Sequence, residues 1–209
     1  SVVEDCGKKV LAKPFPVFTH EEALAKFGAD KFDLRDEPKD KNTLAFAWVV
    51  DFPLFEWDEE TEKWEMAHHM FCMPKKEHIK FLKSDPGKVL CTQYDLVLNG
   101  TELGSGSLRI TDTKLQEEVM NVIGFSHEKA NERFGFILEA FKYGAPPHGG
   151  IGLGFDRIVA MMCGTNDIRE VIAFPKNKAA ECLMDGSPSN ITDEQLKELH
   201  IKTDVVKKK

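Results

Sequence analysis

Tyr94-Asp-Leu-Val-Leu-Asn-Gly-Thr-Glu-Leu-Gly-Ser-Gly-Ser-Leu-Arg109 is the stretch on which the fold turns. An apolar run of strand length reaches Asn99-Gly100, the strongest short hairpin signal in the chain, because both residue types tolerate the positive φ angles of a two-residue turn. The spacing predicts an outgoing strand over 89–99 and a return strand over 102–110. Asp95 and Glu102 then fall near opposite positions and share one sheet face. Neighbouring carboxylates repel unless a cation lies between them, and oxygen donors that leave room for water and phosphate suit Mg²⁺. The same two acids also fit a solvated hairpin tip. Gly104 and Gly106 weaken a strand and mark the close approach of a ligand or a second backbone. Arg109 lies an odd number of residues beyond Glu102, so a regular strand puts the two on opposite faces. A bulge at the glycines is needed to bring them to one site. An arginine in a sheet needs an anion, either a protein acid or a ligand carboxylate that its planar fork can match.

Working outward, Leu44-Ala-Phe-Ala-Trp-Val-Val50 reads as a buried strand, followed by an acidic turn over 58–63 and a second strand or irregular segment over 64–73. Thr19-His-Glu-Glu22 is a capping box opening a short helix over 21–27 that Gly28 ends. Residues 29–42, polar and with Pro38, read as a loop or linker. A short helix is expected over 77–83, stopped by Asp85-Pro-Gly87. Downstream, helices are expected over 113–123 and, capped by Ser126, over 126–142, where Phe134, Ile137, Leu138 and Phe141 recur at helical spacing. A strand over 149–153 leads into an apolar helix over 155–163, and Thr192 caps a last short helix. Hairpins with segregated helices predict the α+β class, an antiparallel β-sheet flanked by helices.

The chain has 209 residues, 42% hydrophobic and 30% charged, enough for one sizeable core and unlike a disordered or collagen-like chain. The formal net charge of −7 gives no sign of a strongly basic nucleic-acid binder, although a local groove can still be basic. No apolar run of membrane-spanning length occurs. Residues 1–13 have no signal-peptide core, so a cytoplasmic location is expected. The five cysteines stand apart without a C-x-x-C pair, which reads as reduced thiols rather than a zinc or redox motif. The basic run Lys207-Lys-Lys209 reads as a solvated tail.

Two further constellations bear chemistry. His68-His69, if on a strand, point to opposite faces and cannot both ligate one metal; each is either functional or an ordinary hydrogen-bonded histidine. Gly149-Gly-Ile-Gly-Leu-Gly-Phe-Asp-Arg157 runs a glycine-rich strand into a helix carrying Asp156 and Arg157 in its first turn. It is not a P-loop, since no G-x-x-x-x-G-K-[ST] is present. Its glycines admit a flat ring against the backbone and its arginine can reach a polyphosphate; the alternative is a tight strand-to-helix turn.

Gly150-Ile-Gly-Leu-Gly-Phe-Asp-Arg157 resembles motif 3 of the class II aminoacyl-tRNA synthetases. Asp51-Phe-Pro-Leu-Phe-Glu-Trp57, Met66-Ala-His-His69, Tyr94-Asp-Leu-Val-Leu-Asn-Gly100, the Glu102 to Arg109 strand, Tyr143-Gly-Ala-Pro-Pro-His148 and Val171-Ile-Ala-Phe-Pro-Lys176 together resemble the bacterial-type aspartyl-tRNA synthetases, in the family's order, over most of residues 14–190. The resemblance implies a partial class II catalytic fold and aspartate–tRNA ligation. Aspartate carboxylate attacks the α-phosphate of ATP to give aspartyl-adenylate and pyrophosphate, and the acyl group then passes to tRNA. It implies that Asp95 and Glu102 hold Mg²⁺ and ATP, and that Arg109 clamps the aspartate side chain. His68 closes on the amino acid and Ser107 borders its pocket. Gly154, Phe155, Asp156 and Arg157 lie along ATP, with Arg157 on the terminal phosphate.

Departures from the family pattern are also present. Met70 and Cys72 replace a usual proline and threonine, Ser105 replaces the middle glycine of a Gly-Gly-Gly-Ser run, and only residues 36–43 stand where a separate inserted domain is usual. Residues 1–43 show no counterpart of motif 1, which forms the family's homodimer interface, or of motif 2, which grips the α-phosphate. The expected organisation is therefore a helical and linker segment over 1–43, a catalytic core with motif 3 over 44–190, and a helix with basic tail over 191–209. The chain reads as a fragment or reduced form. An asparagine-specific or relaxed synthetase, or a non-catalytic ATP-binding remnant, are the alternative readings.

Overall fold

The computed structural model describes residues 2–36 and 40–204; the expected basic tail and Pro38 lie outside them. A short helix α1 (Val2–Asp5) and strand β1 (Lys9–Val10) precede β2 (Val17–Thr19) and helix α2 (His20–Phe27). Thr19 and Glu22 close the expected capping box, and Gly28 ends the helix at φ 74°. The expected 44–50 strand is split into β3 (Thr43–Leu44) and β4 (Phe46–Val50). The acidic turn joins β5 (Phe55–Asp58) to β6 (Lys63–Met66). The helix expected over 77–83 is a 3-10 helix, Lys76–Phe81, whose N-terminus has no side-chain cap.

The decisive stretch forms β7 (Gln93–Leu98) and β8 (Thr101–Leu108), with Asn99 at φ 48° and Gly100 at φ 82° as the two-residue turn. Helices α3 (Thr113–Val122) and α4 (His127–Lys142) follow and pack together, then come β9 (Gly149–Leu153), α5 (Phe155–Met162) and α6 (Asp193–Glu198). The main sheet has the order β2-β4-β7-β8-β9. Its pairings are antiparallel except β2 with β4, because the chain crosses through α2 before returning. The α+β expectation holds, with one parallel edge strand added.

Each sheet face has its own core. Ala47, Val49 and Val97 pack with Ala23, Phe32, Phe52 and Val119 on one side. Leu98 and Leu103 pack with Leu44, Met161 and Ile158 on the other, which docks α5. Residues 29–36 are irregular as expected but are no tether. Phe32 is buried, stacks on Phe27 at 4.1 Å, and its carbonyl accepts the Gly100 N–H at 2.9 Å. Cys72, Cys91 and Cys182 are buried and all five cysteines are free. Among the described residues no helix is long and apolar enough to cross a membrane.

Candidate active site

The site is built on a bulge. Leu98 pairs with Thr101 and Val97 with Glu102, but Leu96 pairs with Gly104, leaving Leu103 as the extra residue of β8. The register therefore shifts one residue before the glycines rather than at them. Directly paired residues share a face, and Asp95 pairs with Ser105 and Gln93 with Ser107. Glu102, Ser105 and Ser107 thus join Gln93, Asp95 and Val97 on one face, while Leu103 turns into the opposite core. The odd separation of Glu102 and Arg109 is absorbed by this single residue.

The bulge is held from the motif 3 side. Its Leu103 carbonyl accepts the Gly154 N–H at 2.6 Å, and the Glu102 carbonyl accepts Arg157 Nη1 at 2.7 Å. Arg157 Nη1 is also 3.8 Å from Glu102 Oε1. The glycine-rich strand explains itself by side. Across from Ser107 and Ser105 stand Gly150 and Gly152. A Cβ at Gly150 would meet nothing within 4 Å, and one at Gly152 only the Ser105 carbonyl at 3.9 Å, so this face is open and flat. Gly106, by contrast, is packed: a Cβ there would lie 2.1 Å from the Gly150 carbonyl. A cavity of about 340 Å³ at the bulge is lined by Glu102, Gly152, Gly154, Asp156 and Arg157. A larger one, about 730 Å³, lies at the hairpin tip beside Arg35 and Asn99. Arg35 there is already tied to Asp33 at 2.7 Å, so chemistry favours the smaller cavity.

Asp95 is 3% exposed. Burial pushes its carboxyl above the ordinary range and the charge of Glu102 adds to this, while the Ser105 hydroxyl and Gln93 amide oppose it. Lys31 Nζ lies 3.2 Å from Glu102 Oε2, and that contact holds the ammonium's pKa up. Two carboxylates, one buried, and an open flat surface beside them fit a hydrated Mg²⁺ and a nucleotide; among the described residues no cluster of three or more metal-ligating side chains exists.

At the other end of the face stands Arg109. Its N–H donates to the His148 carbonyl at 2.9 Å, and among the described residues its guanidinium has no acid partner. It lies instead against His69, with Nη1 3.0 Å from Nδ1 and 2.8 Å from Nε2, and His69 Nε2 is 3.2 Å from the buried Ser107 hydroxyl. A guanidinium only donates, so the ring must be neutral; burial first, then the Arg109 charge, lowers its pKa to about 4. The two histidines are not on a strand, because β6 stops at Met66. His68 turns to the Phe52 ring at 5.2 Å. The site face thus gathers Asp95, Glu102, Ser107, Arg109 and Arg157, with His68 beside it; Phe155 is mostly exposed and Asp156 lines the cavity.

Sequence reading offers the His68-His69 pair but gives His69 no role of its own, and three residues escape it altogether. Lys31 is hidden in a segment that reads as linker. Gln93, 3% exposed, donates to Asp95 Oδ1 at 3.3 Å; a polar residue at an inward strand position was the available signal. Gln116 on α3 donates to the Met70 carbonyl at 2.6 Å and so braces the histidine loop, a contact no pattern announces.

The profile of the class II tRNA synthetases (D, K and N) matches residues 1–178. The chain is 56% identical over 175 residues to an aspartate–tRNA(Asp/Asn) ligase of Thermoanaerobacter sp. strain X514, covering 84% of this chain and 29% of that protein. It is 53% identical over 166 residues to an aspartate–tRNA ligase of Macrococcus caseolyticus, covering 79% and 28%. A solved aspartyl-tRNA synthetase from Entamoeba histolytica shares the fold at a TM-score of 0.58 and 23% identity, covering 84% of this chain and 34% of that one. The chain thus spans under a third of the length of these curated relatives. With a bulged hairpin, a glycine-lined strand and α5 arranged as described, the chain belongs to the class II tRNA synthetases of the D, K and N group.

Proposed function

We propose that this chain carries the amino-acid and nucleotide pockets of an aspartate–tRNA ligase, which activates L-aspartate with ATP to aspartyl-adenylate and transfers it to tRNA. The observation that carries the reading is Arg109: a guanidinium without an acid partner among the described residues, one residue beyond the end of β8 and joined through His69 to Ser107, on the face that carries the Asp95–Glu102 pair. A ligand carboxylate at Arg109 would satisfy the fork with two charge-assisted hydrogen bonds. His69, neutral and donated to by Arg109, links the guanidinium to the Ser107 hydroxyl, and His68 is placed to close over the amino acid. Gly152, Gly154, Phe155 and Asp156 line the nucleotide's path, with Arg157 fixed to the Glu102 carbonyl and available to a terminal phosphate. Asp95 and Glu102 would hold Mg²⁺, whose chemistry is to neutralise polyphosphate charge. No side-chain nucleophile is required, since positioning and charge neutralisation supply the catalysis.

In this reading the catalytic core is 44–190, flanked by 1–43 and by 191–209. For the whole protein, tRNA and a second copy in a homodimer are the inferred partners and the cytoplasm the location. The test is pyrophosphate exchange by the complete enzyme containing this chain. Exchange should depend on aspartate and not on asparagine; dependence on asparagine, or no amino-acid-dependent exchange at all, would replace the reading. A relaxed tRNA choice is favoured by the similarity to the Thermoanaerobacter relative, an aspartate–tRNA(Asp/Asn) ligase. Aspartylation of a tRNA(Asn) transcript would establish it.

A further inference from the structure

The acid pair already has a cation. Lys31 Nζ approaches Glu102 Oε2 at 3.2 Å and interacts with the charge of Asp95. Among the described residues no other ion pair or hydrogen bond ties that ammonium, the charge of Asp30 acting on it only from a distance, and the side chain is 49% exposed, so it can swing away. Its backbone, however, cannot drift. The next residue, Phe32, is buried, stacked on Phe27 at 4.1 Å, set edge-on to Phe18 at 5.2 Å, and bonded through its carbonyl to Gly100 at the hairpin turn. The fold thus delivers a mobile ammonium on a fixed base to the mouth of the acid pair. Arg157, the other cation at Glu102, differs: its Nη1 is tied to the Glu102 carbonyl at 2.7 Å and stands 3.8 Å from the carboxylate.

We propose that Lys31 is the resident counter-cation of the Asp95–Glu102 pair, which a divalent ion must displace, so that Lys31 makes ion entry depend on something that draws the ammonium away. The inference rests on the reading of Asp95 and Glu102 as the Mg²⁺ site. Polyphosphate oxygens are the natural attractor for a released ammonium beside that site. Ion binding would then follow nucleotide rather than precede it, and two carboxylates would not sit charged and uncompensated between turnovers.

The experiment is a Mn²⁺ titration of the full chain without nucleotide, free ion being read by electron paramagnetic resonance. The native chain is compared with Lys31→Gln, Lys31→Arg, Glu102→Gln and Lys26→Gln. Losing the competitor should tighten Mn²⁺ in Lys31→Gln by about two- to five-fold, the size an exposed ion pair carries. Lys31→Arg keeps a cation and should bind as the native chain does. Lys26→Gln, a lysine over the Phe18 and Phe27 rings, measures the general effect of one lost charge and should change affinity less. Unchanged or weaker binding in Lys31→Gln, or equal tightening in Lys26→Gln, overturns the proposal. If Glu102→Gln weakens Mn²⁺ while Lys31→Gln leaves it alone, only the role of Lys31 falls. If Glu102→Gln binds as the native chain does, the Mg²⁺ site falls with it. Melting curves confirm that each variant is folded.

Discussion

Asp95 is held where a charge is unwelcome, and its raised pKa is the measure of that. Asp95→Asn should therefore abolish divalent-ion binding while raising the melting temperature. Relief of about 1 kcal/mol corresponds to roughly 2–4 °C in a chain of this size; a lower melting temperature would mean that Asp95 stabilises the fold. His69 works in the other direction. Its folded pKa of about 4 lies below the unfolded value of 6.5, so between those values the unfolded chain binds a proton that the native chain refuses. Stability should fall as pH drops through that window, and NMR should find the ring neutral until about pH 4. Arg109→Gln should move its titration back up, because the Arg109 charge is the second cause of the shift. In the complete enzyme, Arg109→Lys keeps the charge but loses the fork. Aspartate activation should drop by roughly 30-fold or more, the cost of truncating one partner of a desolvated charge pair, with ATP affinity nearly unchanged. Parallel loss of melting temperature, ATP binding and activation would instead make Arg109 a brace of the sheet.

Among the elements, the β8–β9 pair separates glycines needed for packing from glycines that leave a surface open. Gly150→Ala adds a methyl group to empty space and should leave the melting temperature within about 1 °C, consistent with a surface change, while weakening nucleotide binding. Gly106→Ala drives a Cβ into the Gly150 carbonyl and should unpair β8 from β9, with a large loss of stability. Equal effects of the two changes on stability would contradict the assignment of the open face. The hairpin, the capped helices α2, α4 and α6 and the motif 3 strand-to-helix junction were legible because each is specified locally, by Asn99-Gly100, by Thr19, Ser126 and Thr192, and by a run of glycines. The bulge was legible as a need but not as a place. Its position at Leu103 is set by Leu103 entering the far core and by Gly154 and Arg157 seizing two carbonyls, contacts made about fifty residues away in sequence. The parallel edge β2 and the burial of Phe32 were hidden for the same reason.

For the molecule as a whole, the sheet order has a consequence in time. In β2-β4-β7-β8-β9 only β7 and β8 are joined by a two-residue turn; every other pairing closes a loop of tens of residues. Local closures are fast and cheap in entropy, whereas long ones wait on them. The hairpin should therefore form early and serve as the template on which β4 and β9 later assemble. Gly100→Ala, strained at φ 82°, should destabilise by about 1 kcal/mol and show the loss mainly in the folding arm of a chevron plot. A loss confined to the unfolding arm would mean that nucleation lies elsewhere. If the hairpin does lead, the two acids meet on the nascent strand pair before Lys31, β9 or Arg157 has arrived. The least stable feature of the finished site would then also be its oldest, a repulsion the chain must tolerate early and can neutralise only once the rest of the sheet has closed around it.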